Sequence, residues 1–213
     1  MIGGVFRDRD EAGAALAAAV ADRVSEAATV LAIPRGGVAV ALPVARALGA
    51  PLDVVIPRKL GAPGNPELAI GAVAPGVRVL HERAVRRLGV SRDYIEREAA
   101  RQEVEIERRE SAYRDGRSPA PVAGRTVVVV DDGVATGATA VAALRWARAA
   151  GASRIVFAAP VGPPAARAHL EAEADDVVLL HEPWGFLAVG EWYREFDQVT
   201  DAEVITMLRE ASA

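Results

Sequence analysis

The amino-acid sequence predicts an α/β protein, a mostly parallel twisted sheet with helices on both faces. Two observations predict it. Apolar, β-branched runs (TVLAIP, LDVVIP, TVVVV, RIVFAA) recur along the 213 residues, and alanine-rich stretches of helical length separate them. Strands that alternate with helices form right-handed crossovers, which place consecutive strands parallel. A third observation bounds the answer: a chain of this length with 51% apolar residues can bury an ample core, and one domain over residues 1–213 is the expected organisation.

Each element has its own signal. Asp8 caps a helix that runs to about residue 24, with Leu16 and Val20 four apart on one face. TVLAIP (29–34) is a buried strand that ends in Arg-Gly-Gly and feeds an apolar helix over 38–48. LDVVIP (52–57) is the second strand. RKLGAPGNPEL follows it as a loop, because Gly61, Pro63, Gly64 and Pro66 keep it out of regular structure. AIGAV and VRVL flank Ala74-Pro75-Gly76 as a β-hairpin. Ser91 caps a long charged helix to about Arg114, so 91–115 reads as a helical insertion. Its apolar stripe (Ile95, Ala99, Ile106, Tyr113) is narrow, and Asp93/Arg97, Glu105/Arg109 and Glu110/Arg114 are spaced as surface pairs. That pattern predicts a solvated helix, with a dimer arm or a cover over the acceptor side as the other reading. Ser118, Pro119, Pro121 and Gly124 make 117–124 a loop. Strands follow over 126–130, 154–159 and 177–180, with helices over 138–150 and 163–172. Thr200, with Glu203 three residues later, forms a capping box for a last helix to about residue 210.

Composition excludes several classes. A net charge of −4 lacks the basic excess of a nucleic-acid binder. With no cysteine there is neither a disulfide framework nor a thiolate metal site. His81, His169 and His181 do not cluster by sequence, so none is assigned to a metal. The opening MIGGVFRDRDEAG lacks an apolar core behind a basic head, and no stretch is long and apolar enough for a bilayer, so the expectation is a cytoplasmic protein.

Ligands of parallel sheets gather where the carboxyl ends of the strands meet the loops. The loops after Pro34, Pro57 and Val130 are therefore the informative ones. In VVVVDDGVATGATA (127–140) a buried strand ends on two adjacent carboxylates, Asp131 and Asp132. Such a pair repels itself unless vicinal hydroxyls, or hydroxyls coordinated to a divalent cation, share the charge. Residues 135–139 are small enough for backbone N–H groups to close on a phosphate, and the following helix adds its positive end. Thr136 and Thr139 supply hydroxyl donors. One loop can thus hold a diol and a phosphate together, the two features of a sugar phosphate.

This stretch resembles the phosphoribosylpyrophosphate-binding signature of type I phosphoribosyltransferases: an apolar strand, two acidic residues and a small-residue loop ending in Thr-Gly-x-Thr. It has no lysine after Gly137, as a Walker loop would, and the chain has no GxGxxG. The resemblance extends to AIPRGG and to the RK…PG segment, and the three loops span 29–150. PRGG, RKLGAPGNPELAIGAV and DDGVATGAT together look like a little-characterised bacterial phosphoribosyltransferase-like subfamily. What it implies is transfer of ribose 5-phosphate from phosphoribosylpyrophosphate to a nitrogen acceptor, usually a base, with release of pyrophosphate. The substrate-binding positions carried over are Arg35, Gly36 and Gly37, and then Asp131, Asp132, Gly133, Val134, Ala135, Thr136, Gly137, Ala138 and Thr139. Mg2+ is the implied cofactor, met by Asp131 and Asp132 mainly through ribose hydroxyls. Arg58 and Lys59 open the implied mobile catalytic loop, and Glu67 within it is the nearest acidic candidate for a general base.

In that family a hood reads the base. Here it would be 181–213, with Trp184, Phe186 and Tyr193 as the stacking candidates. Phe186 to Gly190 faintly resembles the hood of hypoxanthine-type members, but Ala135 stands where those members carry an aspartate, as in adenine-type members. Many members are dimers, which implies a homodimer here. A non-catalytic module that senses phosphoribosylpyrophosphate or a nucleotide is the alternative. An unrelated hydrolase or phosphatase is disfavoured, since neither a nucleophile elbow nor a cysteine loop is present.

Overall fold

The computed structural model describes residues 6–24 and 27–212. Its centre is a five-stranded sheet in the order β2 (Leu52–Val54), β1 (Ala28–Ala32), β6 (Thr126–Val130), β7 (Arg154–Val161), β8 (Asp176–His181). Every neighbouring pair is parallel. All residues of β1 and β6 are buried, as expected of strands covered on both faces. Val30, Val128 and Val156 point to one side, against α1 (Arg9–Ala21), α2 (Gly36–Leu48) and α7 (Asp201–Glu210). Leu31, Val127, Val129 and Phe157 point to the other, against α5 (Ala138–Ala149) and α6 (Pro164–Glu171).

Capping chemistry sets the helix limits. The Asp8 side chain accepts the Glu11 N–H at the start of α1. Gly49, at φ +57°, ends α2 in the left-handed conformation that glycine tolerates best. The capping box of Thr200 and Glu203 starts α7.

The segment expected as a loop is strand. β3 (Arg58–Ala62) pairs antiparallel with β4 (Asn65–Ala74), and β5 (Val77–Leu80) adds to β4 as the expected hairpin. The breakers mark a hairpin tip: Gly64 turns at φ +74°. Gly61 lies at a register shift, where a Cβ would come within 2.7 Å of Pro66 Cα. Arg58 and Lys59 are therefore strand residues, and the first residues of the expected mobile loop are paired backbone. A short helix, α3 (Glu82–Arg87), follows without having been predicted.

The long helix α4 (Arg92–Arg114) starts at its Ser91 cap, as the sequence indicates. Its burial differs from the solvated expectation. Ile95, Ala99, Gln102, Ile106 and Tyr113 are buried, and the helix packs on β2, the β3–β4 hairpin and α7. A narrow stripe suffices because these positions recur on one face of the helix. Among the described residues, no helix is long and apolar enough to cross a membrane.

Candidate active site at the sheet switch point

The chain leaves β1 outward to β2, then returns to add β6 on β1's other side. Chain order reverses between β1 and β6, and at such a point the loops diverge and leave a crevice. The Ile33 N–H donates to the Val130 carbonyl at 2.8 Å, which ties the two strand ends together. The Pro34–Arg35 peptide is cis. Gly36 lies directly against the acidic pair, since a Cβ there would be 1.9 Å from Asp132 Oδ2. Gly37 is also close-packed, since a Cβ there would be 2.9 Å from the Val130 carbonyl oxygen. The Arg-Gly-Gly turn and the Asp-Asp loop, 94 residues apart or more, are thus one surface.

Asp132 accepts Arg9 Nε at 2.8 Å, and its own N–H donates to Asp131 Oδ1 at 2.9 Å. The Arg9 Nη1 donates to the Asp197 carbonyl at 2.8 Å, and the guanidinium stacks 3.9 Å from the Phe196 ring centre. Burial pushes the Asp131 carboxyl well above the usual range, and the adjacent Asp132 charge pushes it further. Burial also raises Asp132, while Arg9 opposes the rise. One cation thus faces two carboxylates, and among the described residues Asp131 has no ion-pair partner.

The rest of the loop is anchored from below. The Val134 N–H donates to the Val161 carbonyl at 2.9 Å. Val134 presses on Gly162, and Val189 presses on Gly133, each where a Cβ would clash. Ala135 and Thr136 stand exposed, and Gly137 (φ +81°) turns the chain into α5, whose first residues are Ala138 and Thr139. Among the described residues, the N–H groups of Ala135, Thr136, Gly137, Ala138 and Thr139 have no protein acceptor. Adjacent free donors at a helix start form an anion-binding concavity.

On the other side of the Arg-Gly-Gly turn, Arg35 faces Asp201 Oδ1 at 3.6 Å. Arg58 donates through Nε to Gln102 Oε1 at 2.9 Å. Burial lowers the Arg58 pKa, and the nearby Arg109 charge lowers it further. Lys59 is exposed on β3. Glu67 belongs to β4, and its side chain lies outside the described residues.

The stacking candidates separate. Trp184 is 92% exposed and Phe186 half-buried. Tyr193 is buried, stacks 5.0 Å from Phe196, and donates its hydroxyl to the Asp132 carbonyl at 2.6 Å. Its observed contacts hold the acidic loop. His181 packs among Phe6 and Trp192.

Sequence reasoning missed Arg9, which reaches Asp132 across 123 residues. No spacing rule connects them; the RDRD run at 7–10 marks only a helix start.

A crevice at the switch point of a parallel α/β sheet, lined by an acidic pair and a glycine-bearing turn, is what this fold and site define. The chain belongs to the phosphoribosyl transferase domain family, whose model matches residues 9–191. It is similar to two Mycobacterium tuberculosis proteins, Rv0571c and MT0597, whose names assign them provisionally as phosphoribosyl transferases. Each is 47% identical over 208 residues, 97% of this chain. The chain spans about half the length of these relatives, 47%. It is also similar to the crystal structure of TT1426 from Thermus thermophilus, at 51% identity and a TM-score of 0.82, covering 96% of this chain and 98% of that one.

Proposed function

We propose that the protein transfers ribose 5-phosphate from phosphoribosylpyrophosphate to a nitrogen acceptor, a nucleobase or a similar ring, and releases pyrophosphate. The observation that carries this reading is the 131–139 loop. It joins an under-neutralised carboxylate pair to unpaired N–H donors, beside an arginine-bearing glycine turn. Asp131 and Asp132 accept from the ribose hydroxyls. Residues 135–139 donate to the 5-phosphate through backbone N–H groups and the Thr136 and Thr139 hydroxyls. Arg35, Arg58 and Lys59 meet the pyrophosphate.

In the reaction the bond from the anomeric carbon to the pyrophosphate oxygen breaks, and its electron pair leaves with pyrophosphate. The acceptor nitrogen's lone pair forms the new bond, and that nitrogen then gives up a proton. Positive charge develops on the ribose as the leaving group departs, so donors preset on the pyrophosphate lower the barrier. Among the described residues no cluster of three or more His, Asp or Glu side chains can hold a metal by itself. Asp131, half-buried beside Asp132 and without an ion-pair partner among the described residues, fits a magnesium ion that arrives with the substrate and is held mainly through ribose hydroxyls. When bound, magnesium supplies neutralisation of the pyrophosphate charge.

The test is pyrophosphate release over a panel of bases, with calorimetry of magnesium–phosphoribosylpyrophosphate alongside. Changing Asp131 and Asp132 together to Asn is expected to weaken that binding roughly 10- to 1000-fold. Unchanged affinity in the double variant would falsify the assignment of this loop. The second reading, a sensor that binds without turnover, is favoured by one observation: the first residues of the expected lid are paired strand. Binding without pyrophosphate release on any base would select it.

A further inference from the structure

Helix α4 brings another guanidinium to the region where Arg35 and Arg58 act. Gln102, Glu105, Arg109 and Tyr113 are spaced three, four and four apart, which puts them on one side of the helix. Two of them already reach the candidate site. Gln102 accepts from Arg58 Nε at 2.9 Å, and the Tyr113 hydroxyl donates to Asp201 Oδ1 at 2.7 Å, the same oxygen that faces Arg35 at 3.6 Å. Arg109 lies between these two anchors along α4. Its side chain is 22% exposed, and its Nε donates to Glu105 Oε1 at 2.6 Å.

The charges do not balance locally. Arg58 hydrogen-bonds to a neutral amide. Glu105 is shared between Arg108, at 2.7 Å, and Arg109. The Asp201 carboxyl is held low first by the Tyr113 hydroxyl, and then by the Arg109 and Arg35 charges. Arg35, Arg58, Arg101, Arg108 and Arg109 thus share three carboxylates, Glu98, Glu105 and Asp201. Gathered guanidiniums repel one another, and a multivalent anion relieves them. A pair serving only the helix surface needs no such company.

We propose that Arg109 is a pyrophosphate-contacting residue, which completes a three-guanidinium site with Arg35 and Arg58. Asp201 is the resident anion in that site, and the pyrophosphate takes its place between Arg35 and Arg109. Glu105 is a positioning residue, since it holds the Arg109 fork. The inference rests on the reading of the chain as a phosphoribosylpyrophosphate binder and adds a substrate contact from α4 to it.

Calorimetry of the full chain tests it with three probes: magnesium–phosphoribosylpyrophosphate, magnesium–pyrophosphate and ribose 5-phosphate. Arg109→Gln keeps the stem and a hydrogen-bonding end, so the helix retains its packing. It is expected to weaken both pyrophosphate-bearing probes about 10- to 100-fold, the worth of a charged hydrogen bond, and to leave ribose 5-phosphate within about twofold of its wild-type affinity. Arg109→Lys restores part of the loss, because it keeps the charge without the fork. Wild-type affinity for pyrophosphate in Arg109→Gln overturns the proposal alone. An equal loss for ribose 5-phosphate also overturns it, since the residue is then structural. Failure of the wild-type protein to bind any probe overturns the functional reading itself.

Discussion

Asp131 is the residue in which sequence, burial and chemistry meet most directly. Its carboxyl is raised by burial and by Asp132, and no cation among the described residues faces it in an ion pair. A carboxyl whose folded pKa lies above its unfolded value binds more protons when folded. Its contribution to stability is therefore most favourable at acid pH, and is lost as pH rises from the ordinary aspartate range through the raised value. Asp131→Asn removes that loss, and Arg9 keeps its bond to Asp132. The variant is expected to melt higher than wild type at pH 7, by ~2–4 °C for each kcal/mol recovered in a chain of this size. The difference is expected to shrink toward pH 4, and melting curves across pH 4–8 check it. A variant that melts lower at pH 7 would show that Asp131 is satisfied in a way the structure does not contain. Under the proposed function, the tension that stabilises Asn here is what a ribose diol or its cation would relieve. That the pair ends a strand before a small-residue loop was plain in VVVVDDGVATGATA. Arg9 was not legible, because a contact across 123 residues follows from the docking of α1 and not from local pattern.

At the scale of elements, the parallel strands and their helices were readable because each carries a local period and a local cap. The errors fell where tertiary pairing decides. Pro63, Gly64 and Pro66 are turn chemistry both in a lid and in a hairpin tip, and only the partner strand separates the two. The hairpin makes a specific demand at Gly61, where a Cβ would meet the Pro66 backbone at 2.7 Å. Gly61→Ala is expected to cost about 1–3 kcal/mol, since neither strand can yield without breaking the register. A denaturant midpoint equal to wild type would show that this segment is not held as a hairpin in solution. The same logic applies to α4. Its narrow stripe resembles that of a solvated helix, and the buried Gln102 and Tyr113 gain meaning only once Arg58 and Asp201 are known to face them.

For the molecule as a whole, the proposed function says more of the donor than of the acceptor, and the acceptor prediction turns on Ala135. The loop between Asp132 and α5 reads Gly-Val-Ala-Thr-Gly, with Ala135 exposed at its crest. In the hypoxanthine- and guanine-type members of the family an aspartate at that position handles a ring proton, whereas Ala135 matches the adenine-type members. Alanine cannot accept or donate one, and no side chain from Gly133 to Gly137 titrates near neutrality. Hypoxanthine and guanine are therefore expected to be poor acceptors, and purine activity is expected to favour adenine or another amine-bearing ring. Initial rates of pyrophosphate release on hypoxanthine, guanine and adenine at equal concentration check this, and efficient turnover of either oxopurine would sink it. If adenine is used, its proton must leave by a group outside the loop. Glu67→Gln is then expected to slow the chemical step by about 10²- to 10⁴-fold, the worth of a positioned base. A rate within a few-fold of wild type would clear Glu67 and leave water as the acceptor of that proton.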